Sequence, residues 1–170
     1  MIALYEKRGD TEAYKKELKS YVFTCSQRNL DYIKKLKKVS SQSEWEKYRE
    51  RILEGGNGYQ IYYPLLEFEG MYERMLESIR KENFIYNLDQ YEKLLKKKFP
   101  EQVRDIYISY ICSRAERTSD RKQYKELMYY LKKLKTYPDG KKKAKEIAAG
   151  WRSAYYRRSA MMDELQKAGF

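Results

Sequence analysis

Histidine is absent from this chain of 170 residues, and cysteine occurs only twice. Histidine is the commonest general base and the commonest neutral zinc ligand, and two separated thiols cannot complete a tetrahedral zinc site unaided. We therefore expect no catalytic residues, no cofactor and no metal. Cys25 and Cys112 each lie among apolar residues at helical spacing, which predicts two buried free thiols.

Long apolar segments are also lacking. No stretch approaches the ~20 apolar residues that span a bilayer, and the N-terminus shows no signal-type apolar region. The sequence thus predicts no membrane partner and, by default, a cytoplasmic location. Ile2, Ala3, Leu4 and Tyr5 are apolar and have no obvious helix cap. Such a start is typical of the second helix of a hairpin, and we expect a fragment of a longer protein.

Proline and glycine are scarce, with three and eight residues, and apolar residues recur at intervals of three and four, the helical period. Helix starts are predicted at Asp10 or Thr11, Asn29, Ser41 with Glu44 as a capping box, Pro100 and Asp120. Helix ends are predicted at the cluster Gly55 to Gly58, at Gly70, at Phe99 and at Tyr137 to Gly140.

Helices of this length joined by short turns are typical of antiparallel hairpins. The predicted fold is all-α, a right-handed stack of antiparallel helical hairpins (a TPR/HEAT-like α-solenoid) forming a single helical-repeat domain over residues 1–170. A short repeat, Asn29-Leu30-Asp31 and Asn87-Leu88-Asp89, gives weak support for duplication of a helical unit.

Other candidate motifs carry little chemistry. The Gly55 to Gly58 cluster lacks the Lys-Ser/Thr of a phosphate-binding loop and follows a predicted helix rather than a strand. The carboxylate pairs Glu67 with Glu69 and Asp163 with Glu164 have no supporting constellation. They are interpreted as solvated charge.

Positive charge is the strongest compositional signal, since 37 Lys and Arg oppose 25 Asp and Glu, a net charge of +12. Between residues 132 and 158, ten basic residues face two acidic ones. One hypothesis is a phosphate-binding surface; the favoured one is that amphipathic helices place charge on their wet faces. The candidate anion or nucleic-acid contacts are Lys132, Lys133, Lys135, Lys141, Lys142, Lys143, Arg157 and Arg158.

Tyrosine, with 19 residues, occurs in the adjacent pairs Tyr62-Tyr63, Tyr129-Tyr130 and Tyr155-Tyr156. Neighbours on a helix point in different directions, so each pair is expected to hold one buried and one partly exposed ring. An exposed tyrosine beside lysine suits stacking on single-stranded bases. Packing between hairpins, with the ring buried and the hydroxyl wet, is the favoured alternative.

The last 50 residues or so carry a more specific pattern: Tyr124, Leu131 and Leu134 on one helix, a lysine-rich turn after Gly140, an Ala144 to Trp151 helix, and Arg157-Arg158 before an Asp-Glu-Leu helix. This pattern resembles the C-terminal helical region of bacterial SWIM zinc finger proteins. The resemblance implies an accessory helical part. The zinc module of that family, Cys-x-Cys with Cys-x-His, has no match here, so neither zinc nor DNA binding is carried over.

Two functions remain open. The first is a noncatalytic helical-repeat scaffold that binds a protein partner, within a nucleic-acid-associated complex, because stacked hairpins make extended binding surfaces. The alternative is direct nonspecific binding of DNA or RNA through a basic helical surface. No small-molecule substrate is expected. Clustering of Lys and Arg on one face of the folded chain would favour nucleic acid, and scattered charge would favour the scaffold.

Overall fold

The computed structural model describes residues 2–25, 29–55, 59–82 and 84–170, with the side chain of Tyr59 excepted. Over these residues the chain is helical and has no strand, which confirms the all-α class. None of the described helices combines the length and apolar character needed to cross a bilayer. The helices are α1 Ile2–Arg8, α2 Thr11–Thr24, α3 Leu30–Lys38, α4 Gln42–Glu54, α5 Tyr59–Glu69, α6 Tyr72–Glu82, α7 Ile85–Lys98, α8 Pro100–Arg117, α9 Arg121–Leu134, α10 Gly140–Ala154 and α11 Ser159–Lys167.

Helix starts follow the capping residues read from the sequence. Asp10 caps α2 and Asn29 caps α3, each accepting a backbone N–H with its side-chain oxygen. Ser41 and Glu44 form the predicted capping box of α4, and Pro100 opens α8. Gly55 ends α4 as predicted, whereas Gly56, Asn57 and Gly58 lie outside the described residues.

Contacts divide the chain into two compact units, Met1–Met75 and Leu76–Phe170. In the N-terminal unit, α1 packs on α2, α2 on α3, and α3 on α5. Its largest fully buried side chains include Trp45, Tyr63, Leu18 and Ile33. The buried residues of α2 are Tyr14, Leu18 and Val22, which follow the three-and-four spacing of apolar residues noted in the sequence.

Glu69 corrects the prediction of solvated carboxylates. Its side chain is only 6% exposed, and its oxygens accept hydrogen bonds from Lys37 Nζ at 2.7 Å and from Trp45 Nε1 at 3.1 Å. Glu164, in the C-terminal unit, is likewise buried beside Arg121. A buried carboxylate needs such partners, and the sequence pattern did not reveal them because they come from other helices.

In the C-terminal unit, α7 packs on α8, α8 on α9, and α9 on both α10 and α11. Helix α9 is therefore the central element, and its apolar residues, including Tyr124, Leu127, Leu131 and Leu134, are buried as the spacing predicts.

The turn from α9 to α10 is tight, and Gly140 is the reason it closes. A Cβ atom at Gly140 would overlap the backbone carbonyl oxygen of Leu134. Asp139, just before it, has a left-handed backbone with φ of 54°. Gly140 was predicted as a helix end, but it is the first residue of α10.

The cysteines and the Asn-Leu-Asp segments differ from their predictions. Neither Cys25 nor Cys112 forms a disulfide among the described residues, and each is only half-buried rather than buried. Asn29 caps α3, whereas Asn87 is a buried residue within α7, so the two Asn-Leu-Asp segments do not occupy equivalent positions.

Candidate nucleic-acid interface on the C-terminal helices

The excess of positive charge is concentrated in the last 50 residues. Residues 121–170 contain 14 Lys and Arg against five Asp and Glu, a net charge of +9 out of +12 for the whole chain. These residues form α9, α10, α11 and their connections. An anion approaching the C-terminal unit therefore meets most of the unbalanced charge of the protein.

A first groove, of about 290 Å³, lies between α9 and α11 and has three lysines in its lining, Lys125, Lys132 and Lys167. Lys125 and Lys132 are exposed, and neither forms an ion pair with a described residue. Lys167 is paired with Asp163 at 2.8 Å. The one carboxylate of the lining, Glu164, is held by Arg121 at 3.2 Å.

Tyr129 also lines this groove. Its ring is 59% exposed, whereas that of Tyr130 is 6% exposed, which confirms the expected division of this pair into one buried and one exposed ring. Tyr155 and Tyr156 also differ in exposure: Tyr156 is 63% exposed, and Tyr155 is half-buried. An exposed aromatic ring thus lies beside two lysines, Lys125 and Lys132, that form no ion pair with a described residue.

A second groove, of about 320 Å³, is lined by Lys135, Lys145 and Arg152 together with Gly169 and Phe170. The ammonium group of Lys135 lies 4.0 Å from the centre of the Phe170 ring, a cation–π contact. Arg152 donates a hydrogen bond to the backbone oxygen of Phe170.

The two grooves are neighbours, because Ala168 lines the first and Gly169 and Phe170 line the second. Lys132, on α9, and Lys135, directly after its last residue, are three residues apart, and each lines one of the grooves. Together the grooves form one basic surface, defined here by Lys125, Lys132, Lys135, Lys145, Arg152 and Lys167.

The predicted lysines that follow the α9–α10 turn, Lys141, Lys142 and Lys143, line neither groove. Lys141 and Lys142 are exposed in the first turn of α10, and Lys143 is half-buried. The backbone N–H of Lys143 bonds to Asp139 O at 3.1 Å, and the Asp139 side chain makes no capping hydrogen bond. Positive side chains here oppose the helix dipole.

Arg157 and Arg158 are at the other end of α10, about 20 Å away at 1.5 Å per residue. Arg158 donates to the backbone oxygens of Ala115 at 2.6 Å and Thr118 at 3.1 Å, so it satisfies the C-terminal carbonyls of α8. The guanidinium of Arg157 lies over the Tyr156 ring at 5.3 Å. The structure does not bring these arginines together with the α9–α10 lysines.

Lys133 points away from solvent into a polar network between α7, α8 and α9. Its side chain is 13% exposed and its Nζ lies 2.6 Å from Asp89 and 2.7 Å from Glu92. Tyr107 and Tyr130 donate to Asp89 at 2.7 and 2.6 Å. The charge of Lys133 is thus already compensated, and it is not part of the basic surface.

The electrostatics of this network follow from burial and charge. Burial alone would raise the pKa of Asp89, but hydrogen bonds from Lys133, Tyr130 and Tyr107 outweigh it and leave the pKa lowered. Burial, together with the nearby carboxylate, raises the pKa of Tyr107 and of Tyr130 above the ordinary tyrosine value. The network therefore holds charged Lys133 and neutral tyrosines over a wide pH range.

No family model, no curated protein and no solved structure matches this chain. Within the part of the chain that the structure describes, no group of three or more cysteine, aspartate or glutamate side chains is placed to hold a metal ion.

Four residues of the basic surface were not among the predicted contacts: Lys125, Lys145, Arg152 and Lys167. The spacing of Lys125, Tyr129 and Lys132 on α9, at i, i+4 and i+7, is a sequence signal that places them on one face. Lys167 and Arg152 had no such signal, because their place beside α9 depends on how α10 and α11 pack.

Proposed function

We propose that this chain is a noncatalytic helical protein that binds nucleic acid through the basic surface of α9, α10 and α11. The observation that carries the proposal is the gathering of three exposed lysines, Lys125, Lys132 and Lys145, around two adjoining grooves. None of the three forms an ion pair with a described carboxylate. Phosphate contacts of this kind supply most of nonspecific nucleic-acid affinity.

The distribution of charge favours this proposal over a scaffold whose charged side chains only face solvent. Residues 1–120 contain 23 basic and 20 acidic residues, and several of their lysines are paired, as in Lys15 with Glu44 and Lys37 with Glu69. Amphipathic helices that merely solvate charge would show similar balance along the whole chain. Concentration in three helices favours an anionic ligand.

The test is a binding titration with fluorescently labelled oligothymidine longer than about 16 nucleotides. Replacing Lys125, Lys132 and Lys145 by Gln is expected to weaken binding by roughly tenfold or more at low salt. The matched control replaces Lys16, Lys38 and Lys47 by Gln. These lysines are also exposed and without described ion pairs, but they lie in the N-terminal unit.

The control variant should bind as the wild type does, since the same charge is removed elsewhere. Equal weakening by both triple variants would mean that net charge alone drives binding, and the assignment to the basic surface would be wrong. Failure of the wild-type protein to bind at low salt would reject nucleic-acid binding altogether.

A scaffold for a protein partner is the second candidate, favoured by the exposure of Tyr86 at 72% and Phe84 at 53%, near the start of α7. Exposed aromatic rings are typical anchors of protein interfaces. If the protein bound an acidic peptide but not an oligothymidine of equal charge, the result would support the scaffold.

Two finer structural proposals accompany this function. The stack of antiparallel hairpins draws support from the pairwise packing of α7 with α8 and of α8 with α9. The resemblance to the helical region of bacterial SWIM zinc finger proteins rests on the residues of α9, α10 and α11. Under that proposal the chain is an accessory helical part, and a cytoplasmic location is proposed separately.

A further inference from the structure

We infer that Tyr129 is a base-stacking residue, so that the groove between α9 and α11 takes an unpaired nucleobase while the flanking lysines hold its phosphates. The inference rests on the proposed nucleic-acid binding and names its preferred substrate class, single-stranded RNA or DNA. A base offers a flat aromatic face, and stacking on aromatic side chains is the usual way in which proteins grip single strands.

Tyr129 lies between two lysines on the same face of α9. Along α9, Lys125 lies about 6 Å before Tyr129 and Lys132 about 4.5 Å after it, at 1.5 Å per residue. All three line the same groove. A nucleotide whose base rests on the tyrosine ring therefore has ammonium groups within reach on both sides.

The Tyr129 ring packs against its buried neighbour, Tyr130. The rings of Tyr129 and Tyr130 form a T-shaped contact, with ring centres 5.1 Å apart and an interplanar angle of 73°. Tyr130 is itself fixed by its hydrogen bond to Asp89 at 2.6 Å. The Tyr129 ring is thus supported by a buried neighbour while 59% of the residue stays exposed, which reduces the entropy lost when a base binds.

The size of the groove suits a single unpaired base. The groove has a volume of about 290 Å³, close to the smallest volumes found for ligand-binding pockets. It is large enough for part of a ligand, such as one base. Paired bases in a duplex keep their faces inside the stack, so Tyr129 has nothing to stack on there. Duplex DNA would meet only the lysines.

The experiment compares oligothymidine with an abasic DNA strand of the same length, which carries the same phosphates and no bases. Wild-type protein should bind oligothymidine about tenfold more tightly, the lower part of the range for one stacked base. Tyr129→Ala should remove this preference and leave binding to the abasic strand unchanged. Tyr129→Phe should keep the preference because it retains the ring.

Tyr86→Ala is the matched control, because Tyr86 is also an exposed tyrosine of the C-terminal unit and does not line the groove. It should behave as the wild type. Equal wild-type affinity for the two strands, or a preference that survives in Tyr129→Ala, would overturn the stacking inference while nucleic-acid binding stands. Absence of binding to both strands would overturn the proposed function and the inference with it.

Discussion

Single residues determine the geometry of the α9–α10 turn, and Gly140 is the clearest case. Its backbone passes so close to the Leu134 carbonyl that no side chain fits. Gly150, on the same helix, has open space around its Cβ position. The two glycines therefore differ in role, although both are helical.

Gly140→Ala is expected to destabilise the protein by about 3 kcal/mol, because either the turn or α10 has to move. Gly150→Ala is expected to stabilise it by up to about 1 kcal/mol, since alanine is the better helix former at an open position. Chemical denaturation of both variants measures the difference. Similar stability of the two variants would contradict the close approach at Gly140.

Four tyrosines of the C-terminal unit are protected from ionisation. Burial, followed by hydrogen bonds to carboxylates, raises the pKa of Tyr110 to about 12 and raises the pKa of Tyr107, Tyr130 and Tyr137. A raised folded-state pKa gives stability that is present below the unfolded value of about 10 and lost as the pH rises further.

We expect the ultraviolet absorbance of tyrosinate from these four residues to rise late in an alkaline titration. They should ionise only above the ordinary tyrosine pKa of ~10, together with the loss of helical circular dichroism. If all tyrosines ionised near pH ~10 while the helical signal stayed intact, the four tyrosines would not be protected by burial in the folded protein.

At the scale of elements, α9 presents two different faces through adjacent lysines. Lys132 is exposed and lines the first groove, whereas Lys133 binds Asp89 and Glu92 inside the C-terminal unit. One face thus meets solvent and the other connects α9 to α7. The two lysines provide an internal comparison of binding and stability.

Lys133→Met is expected to lower the free energy of unfolding by about 2 kcal/mol, because two carboxylates lose their counter-charge. The loss is smaller than for a fully buried pair, since the Asp89 side chain is 33% exposed. Lys132→Met should leave stability within about 0.5 kcal/mol but weaken oligothymidine binding. If Lys132→Met lowered stability and Lys133→Met weakened only binding, the described faces of α9 would be wrong.

Much of this element structure could be predicted from local sequence. Caps at Asp10, Asn29 and Ser41 act within one helical turn, and the three-four spacing of apolar residues identifies the buried face of α9 directly. Tyr129 was named in a pair of which one ring was expected to be exposed.

Side chains whose partners come from distant segments could not be predicted in this way. Glu69 meets Trp45, Arg158 meets the end of α8, and Lys133 meets Asp89. Each looks like ordinary surface charge in sequence, because only the packing of helices places its partner. For the same reason a list of lysines read from clustering contained Lys133 and lacked Lys167.

At the scale of the whole molecule, charge is the property that distinguishes the chain's regions. The last 50 residues hold +9 of the +12 net charge, while residues 1–120 are close to balance. Long-range attraction of a polyanion should therefore bring it to the C-terminal unit, where unpaired lysines of the basic surface can make direct contacts.

The salt dependence of oligothymidine binding measures those contacts most directly. For single strands the slope of log affinity against log salt is about −0.7 per phosphate contact, so replacing Lys125, Lys132 and Lys145 by Gln should reduce its magnitude by about 2. The Lys16, Lys38 and Lys47 variant should keep the wild-type slope. An unchanged slope in the first variant, or an equal reduction in both, would contradict nucleic-acid binding at the basic surface.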